Sequence, residues 1–180
     1  MRTSHFVLAA AAPVAAATIA FTAAGVGHAD DQREADEPAV TFVKKIPRGY
    51  RDWRLVSVAR EEGDLKDIRA ILGNDKAITA YRAGTLPFPE GAIIARLAWD
   101  HVPSAENNAT FGKDQSFIAG EPKNGVQFMI KDSKKYAATG GWGYGHFDDG
   151  TSAADDVLET CFPCHRAVAD RDYVFTRYSR

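Results

Sequence analysis

The stretch Cys161-Phe162-Pro163-Cys164-His165 decides how the rest of this 180-residue chain is interpreted. It has the form C-x-x-C-H, the spacing at which two thiols attach a c-type haem. Each cysteine bonds one vinyl group of the porphyrin, and the adjacent histidine offers a neutral imidazole nitrogen to the iron. The motif therefore predicts one haem c per chain, bound covalently by Cys161 and Cys164, with His165 as an axial iron ligand.

Two alternatives use the same residue types. A redox C-x-x-C pair belongs to a βαβ unit early in a domain, whereas these cysteines lie late in the sequence. A zinc site would need two further ligands at a recognisable spacing, and His101 and His146 stand singly. Both cysteines of the chain are in the motif, which chance would produce in roughly one sequence in 3,000 of this composition. We therefore favour covalent haem over either alternative.

Residues 1–29 have the features of a secretory signal peptide. Arg2 gives the positive start, a mostly apolar, alanine-rich run follows, and Gly27-His28-Ala29 has small residues where cleavage requires them. Because the run is near the lower length of a membrane span, an uncleaved anchor is the alternative. The acidic, polar residues 30–41 predict a disordered leader, and 42–180 would form the haem domain. Export agrees with the motif, since c-type haem is attached outside the cytoplasm, and it predicts a periplasmic protein.

The charge of the chain argues against two kinds of partner, nucleic acid and anionic membrane surfaces. It has 22 basic and 24 acidic residues, a formal net charge of −2, and no basic stripe. Proteins that bind nucleic acid or anionic membrane surfaces carry clustered Lys and Arg. We therefore expect neither partner.

Hydrophobic alternation and turn residues predict an α+β fold that is mainly β, with about five strands and two or three helices. A long loop is expected over 102–125. Strands are expected at 55–59, 67–72, 92–101, 126–131 and within 136–147, a helical turn at 50–53, and helices at 75–83 and 153–160.

Local signals mark the ends of these elements. Asn74 is the predicted N-cap of helix 75–83 and Gly84 its stop, and Ser152 begins a capping box completed three residues later. Pro163 predicts a break, or a new helical turn, at the haem motif. The alternate glycines of strand 136–147 leave room for a close backbone or a flat ring.

Five stretches, in this order, resemble the cytochrome P-460 family, which includes the β-type cytochromes c′. They are Tyr50-Arg51-Asp52-Trp53, Phe88-Pro89-Glu90-Gly91, Trp142-Gly143-Tyr144, the haem motif and Tyr173-Val174-Phe175-Thr176. The resemblance implies a small antiparallel sheet with helices, one haem, a five-coordinate iron with an open distal side, and often a homodimer. Members either bind nitric oxide or oxidise hydroxylamine, the latter with a lysine cross-linked to the porphyrin.

The chain departs from the family at that lysine. Its expected place is the strand after the Phe-Pro-Glu-Gly turn, where 91–99 contains no lysine and Arg96 stands nearest. Arginine stays protonated and is a poor nucleophile, so this strand predicts no cross-link. Arg96 is either a solvated residue on the polar face of the strand or a distal donor to a polar or anionic iron ligand. A porphyrin cross-link would then have to come from a lysine at another position, for example Lys76 or Lys113.

Three hypotheses for function follow. The first is an exported mono-haem protein whose open iron binds a small ligand such as nitric oxide and turns over nitrogen oxides. The second is an electron-transfer cytochrome with a redox partner protein, in which Met129, His101 or His146 fills the sixth iron position. The third is hydroxylamine oxidation by a lysine-linked haem. The sequence leaves open whether the chain is an enzyme. If it is one, it would be an oxidoreductase that acts on hydroxylamine or nitric oxide.

Overall fold

The computed structural model of the chain describes residues 40–180. The signal peptide predicted for 1–29, and all but the last two residues of the leader predicted for 30–41, lie outside the described residues. The domain boundaries stay a prediction. Among the helices of 40–180, none has both the length and the apolar character needed to cross a membrane.

Among the described residues, six antiparallel strands form one sheet, and each strand pairs with the next one along the chain. Antiparallel neighbours can be joined by short links, and here the links range from two residues at 149–150 to the longer segment 74–92, which includes a helix. The mainly β, α+β fold expected from the sequence is confirmed. The strands are β1 (Arg54–Arg60), β2 (Asp67–Gly73), β3 (Ile93–Pro103), β4 (Phe117–Lys131), β5 (Trp142–Asp148) and β6 (Thr151–Ser152).

Within residues 40–180, four short helices and three 3₁₀ segments connect and flank the strands. The first helix has its predicted ends, because the Asn74 side chain accepts from the backbone N–H of Ala77 and Gly84 ends it at φ 65°. The helices are α1 (Asp75–Ala83), α2 (Ala105–Phe111), α3 (Asp155–Glu159) and α4 (Cys161–His165), and the 3₁₀ segments are Tyr50–Asp52, Ala137–Thr139 and Arg166–Arg171.

Both faces of the sheet are covered. Alternation along β3 places Ala95 and Leu97 in a core with Phe128 and Phe147, on what we call the closed face. Ile94 lies on the opposite face, which we call the cavity face. The core of that face contains Val56, Ile71, Trp142, Tyr144 and the buried residues of α1.

The loop predicted for 102–125 is wrong in large part. The segment contains the end of β3, all of α2 and the first half of β4. Its turn-forming residues act as caps: the Ser104 side chain accepts from Asn107 N–H, and Gly112 ends α2 at φ 69°. The strand signal was hidden because Phe117 and Ile118 are both exposed, so neighbouring positions do not alternate between core and solvent.

The predicted capping box is also wrong. Ser152 belongs to β6, and its hydroxyl donates to the carbonyl of Ala153. The helix α3 begins instead after Ala154, which makes no side-chain cap bond. Two acidic residues in the first turn, Asp155 and Asp156, are favourable next to the exposed N–H groups there.

The glycines of β5 face away from the cavity side. A Cβ on Gly143 would lie 2.2 Å from the ring of Tyr136, and one on Gly145 would lie 2.8 Å from Val43. The room predicted at Gly143 is therefore filled by a flat ring of the protein itself, and the room at Gly145 is filled by the side chain of Val43.

Candidate functional site

A cavity of about 930 Å³ lies between the cavity face of the sheet and the segment 160–179. Strands β1 to β5 all contribute to one wall, and α4 with the following segment contributes to the other. The volume is at the upper end of the range for cofactor pockets. The structure thus brings Arg96 and Met129 to the same cavity as the motif residues Cys161, Cys164 and His165.

The helix α4 explains how the motif presents its three functional side chains together. Cys161, Cys164 and His165 are spaced i, i+3 and i+4, so they share one side of the helix. Pro163 is the third residue of α4, where its missing N–H breaks no intrahelical bond. The predicted break is confirmed: α3 ends at Glu159 and α4 begins two residues later.

The imidazole of His165 is held in one orientation. Its Nδ1 lies 2.6 Å from the backbone carbonyl oxygen of Tyr173, which can only accept, so Nδ1 carries the hydrogen. The ring packs between Tyr144 and Phe175, with ring centroids 5.0 and 5.1 Å away. Burial lowers the pKa of His165, and the bond to Tyr173 opposes that shift. The result is a neutral imidazole with Nε2 left for a metal, the form a ligating histidine needs.

The two motif thiols are free. Cys161 is half-buried and Cys164 is exposed, and neither is in a disulfide. Burial, with a smaller contribution from Cys164, raises the pKa of the Cys161 thiol. Both sulfurs are therefore available at the cavity wall for attachment to a bound porphyrin.

A buried ion pair anchors the turn that carries the Tyr173 carbonyl. Asp172 and Tyr173 both have left-handed backbones, at φ 52° and 65°. The carboxylate of Asp172 accepts from Lys131 Nζ at 2.7 Å and from the backbone N–H of Phe88 at 2.8 Å. The side chains of Lys131 and Asp172 are only 5% and 8% exposed. The pair fixes the hydrogen-bond partner of His165 through groups that the sequence did not single out.

A polar cluster lies on the sheet wall of the cavity. Asp67 is fully buried and accepts from Arg69 Nε at 2.9 Å and Nη2 at 3.0 Å, and from Arg96 Nη2 at 2.8 Å. Arg96 Nη1 donates to Gln127 Oε1 at 3.4 Å. Burial and the neighbouring Arg69 lower the pKa of Arg96, while Asp67 opposes the shift. The Arg96 side chain is 18% exposed, so the interpretation of it as a solvated residue is wrong.

Sequence reasoning missed most of this cluster. Asp67 and Arg69 did carry a signal, because they fall on one face of the strand predicted for 67–72. Gln127 carried none, since it meets Arg96 only through the pairing register of β3 with β4.

The candidates for a sixth iron ligand separate in the structure. Met129 and His146 both line the cavity. His101 does not, because its Nδ1 lies 2.8 Å from the carbonyl of Lys66 and its ring packs against Phe117.

The two lysines proposed for a porphyrin link lie elsewhere. Lys76 donates to the carbonyl of Glu90 at 2.8 Å, and Lys113 lines a separate surface groove. In the described part of the chain, the cavity wall contains no lysine. Nothing in the geometry therefore favours a lysine cross-link.

An unpaired hydroxyl supports the assignment of a cofactor to this cavity. Tyr144 lines the cavity, and its buried oxygen has no hydrogen-bond partner among the described residues. Burial raises the pKa of Tyr144, so the group is a neutral donor. Leaving a buried donor unpaired is costly, and such groups mark places where a further molecule belongs. Together with the thiols and the oriented histidine, the residues present fit a haem.

The fold and site define the class as a haem protein: an antiparallel meander with a large cavity closed by a C-x-x-C-H helix. The model of the cytochrome P-460 family matches residues 47–176, well over half of the chain. The chain therefore belongs to the cytochrome P-460 family, and the resemblance seen in the sequence is confirmed. The search of curated proteins gave no match to the chain.

Proposed function

We propose that the chain is an exported c-type protein with one haem, whose open iron binds a small ligand such as nitric oxide. In this proposal His165 holds the iron, Cys161 and Cys164 hold the ring, and Arg96 acts on the ligand. Attachment outside the cytoplasm, and the signal peptide expected at 1–29, make the periplasm the proposed location. Redox turnover of nitrogen oxides, like the homodimer implied by the family, is part of the proposal.

The arrangement of His165 carries the proposal. Its Nδ1 is committed to the Tyr173 carbonyl, so Nε2 is the remaining nitrogen at a cavity that also contains both thiols. A bound haem would supply a Lewis-acidic iron at this point. With a haem bound, the protein would orient the imidazole between the rings of Tyr144 and Phe175, and Cys161 and Cys164 would hold the porphyrin.

Arg96 is suited to stabilise a polar or anionic ligand. Asp67 and Gln127 occupy one N–H on each terminal nitrogen of the guanidinium, which leaves three of about five donors free. Because Asp67 holds the side chain in place, little rotamer entropy is lost when a ligand binds. A charge-assisted hydrogen bond of this kind contributes about 1.5–3 kcal/mol.

Optical spectroscopy of the purified full-length protein tests the proposal. We expect a high-spin ferric spectrum, a change on adding nitric oxide, and a haem that stays with the chain on denaturation. Cys161→Ser/Cys164→Ser should lose that covalent retention. A low-spin spectrum indifferent to nitric oxide would overturn the open iron, and haem released from the denatured wild-type chain would overturn attachment.

The role of Arg96 is tested by ligands of different charge. Arg96→Leu should weaken nitrite binding to the ferric protein about tenfold or more, since roughly 1.4 kcal/mol corresponds to tenfold. Carbon monoxide binding to the ferrous protein, which needs no hydrogen bond, should change little. Arg60→Leu is the matched control, because Arg60 is exposed and does not line the cavity. Equal losses for nitrite and carbon monoxide would refute the role.

An electron-transfer cytochrome is the second candidate, and the place of Met129 at the cavity favours it. In that case Met129 or His146 fills the sixth position, and a redox partner protein exchanges the electron. Met129→Leu would then convert a low-spin spectrum to a high-spin one. An unchanged spectrum in both Met129→Leu and His146→Gln would exclude both ligands.

Hydroxylamine oxidation by a lysine-linked haem is the third hypothesis, and the geometry does not favour it. Lys76 and Lys113 lie away from the cavity. Mass spectrometry of the haem peptide decides the matter, because a ring bound only through Cys161 and Cys164 excludes a link to lysine.

A further inference from the structure

A second groove, of about 640 Å³, is lined by four arginines: Arg82, Arg171, Arg177 and Arg180. No aspartate or glutamate is among its lining residues. Within residues 40–180, none of the four forms an ion pair. The whole chain has a net charge of −2, so this is a local concentration of positive charge on an acidic protein.

Aromatic residues set the position of part of this cluster. Arg82 Nε donates to the Tyr178 hydroxyl at 3.1 Å, and the ring of Tyr178 stacks on Tyr81 with centroids 6.4 Å apart. Tyr81 is one of the lining residues, and its hydroxyl is buried and has no hydrogen-bond partner in the described part of the chain. The groove thus presents positive charge whose position is set in part by packed aromatic rings, and an anionic surface would complement that charge.

The groove and the haem cavity share a wall. Val174, Thr176, Arg177 and Tyr178 line both of them. This segment has neither helix nor strand structure, so one thickness of chain separates the groove from the cavity. A redox centre docked in the groove would therefore lie close to a haem in the cavity.

We infer that the arginine groove is the docking surface for an acidic electron-transfer protein. The inference rests on the proposed haem function and adds the kind of partner and its place. A haem in the cavity would supply the redox chemistry, giving one electron to the oxidised centre of the partner without any bond being formed or broken. Complementary charge across such a surface accelerates encounter and sets the docking orientation.

Stopped-flow oxidation of the ferrous full-length protein tests the surface, with ferricyanide as an anionic oxidant and tris(phenanthroline)cobalt(III) as a cationic one. Arg82→Gln/Arg171→Gln should slow the ferricyanide reaction about tenfold at low salt, and less as salt screens the charges. The cobalt complex should react no more slowly. Arg177 is left unchanged because it also lines the haem cavity.

The control has the same change in charge elsewhere. Lys45→Gln/Arg48→Gln removes two exposed positive charges from the segment that packs against the closed face of the sheet. It should slow ferricyanide less than twofold. Equal slowing in both double variants would overturn the inference, because only the net charge would then matter.

Poly-L-glutamate distinguishes a protein-sized anionic partner from a small anion. It is too large for the cavity, so it should inhibit the ferricyanide reaction of the wild type and of the control variant, but not that of Arg82→Gln/Arg171→Gln. Its binding, measured by calorimetry, should fall at least tenfold in the same variant, and that measurement needs no haem. Absence of poly-L-glutamate binding to the wild type would refute the docking surface even if the haem function holds. If the purified protein contains no haem but still binds poly-L-glutamate, the proposed haem function would be refuted and the docking surface would stand.

Discussion

Removing the amine of Lys131 should destabilise the protein more than most single substitutions. Lys131→Met keeps a flexible chain of similar length but removes Nζ, which donates to Asp172 at 2.7 Å and to the Gly140 carbonyl at 3.3 Å. Asp172 would remain buried and charged, with the Phe88 N–H as its one remaining donor among these contacts. An unpaired buried charge is among the few causes of large mutational losses.

The size of the loss follows from burial. Both side chains are less than a tenth exposed, so breaking the pair from one side should cost about 3–5 kcal/mol. For a domain of this size, that loss corresponds to a fall in Tm of roughly 10–20 °C. Lys134→Met is the matched control, since Lys134 is exposed, and it should stay within about 0.5 kcal/mol of the wild type.

Chemical denaturation of the full-length protein, followed by circular dichroism, measures these free energies of unfolding. The double variant Lys131→Met/Asp172→Asn should recover about half of the loss or more, because asparagine is uncharged, can still accept from Phe88 and tolerates the backbone φ of 52°. A cost below about 1 kcal/mol for Lys131→Met, or a double variant weaker than the single one, would refute the reasoning.

Three further predictions concern the scaffold. Gly143→Ala should cost about 2–4 kcal/mol in denaturation, because its Cβ would lie 2.2 Å from the Tyr136 ring, and an unchanged midpoint would contradict that packing. Asn74→Ala should cost about 1–3 kcal/mol, since its side chain accepts from two backbone N–H groups and donates to one carbonyl, whereas Asn74→Asp should keep the two accepted bonds and lose less. Hydrogen bonds from the side chain and backbone of Ser133 lower the pKa of Glu90, so Glu90 stabilises the fold at neutral pH and this stability is lost as the pH falls through the lowered pKa. The difference in unfolding free energy between wild type and Glu90→Gln should therefore vanish in acid. A difference that grows in acid would contradict the lowered pKa of Glu90.

The parts of the fold that could be predicted depend on neighbours in the sequence. Helix α1 was placed by the Asn74 cap and the Gly84 stop, which act within one turn of the residues they mark. The motif triplet likewise needed only the spacing within one helix. The outer end of the β3–β4 hairpin could not be predicted because neither face of its strands is buried. Phe117 and Ile118, which are neighbours, are both exposed, so no alternation of apolar and polar residues marks the strand.

The polar contacts of the site could not be predicted either, for a different reason. The contact of Arg96 with Asp67 joins two strands, and the pair of Lys131 with Asp172 spans 41 positions. No local pattern reports such pairs, since they depend on strand register and on how the segment after α4 returns to the sheet. The sequence pointed to Cys161, Cys164 and His165 as the candidate haem-binding residues, but not to the residues that hold them in place.

The topology of the sheet also has a consequence for the order of folding. Strands that pair with their neighbours in sequence close shorter loops than contacts between distant parts of the chain, and such contacts form early. The cavity is closed by contacts between residues far apart in the sequence. Ser179 N–H donates to the Val56 carbonyl at 3.0 Å, and the hydroxyls of Ser179 and Ser57, which are 122 positions apart, form a second hydrogen bond. Closing so long a loop carries the larger entropic cost. We expect the sheet to form first and the cavity to shut last, which would leave both thiols accessible for haem attachment on a nearly complete scaffold.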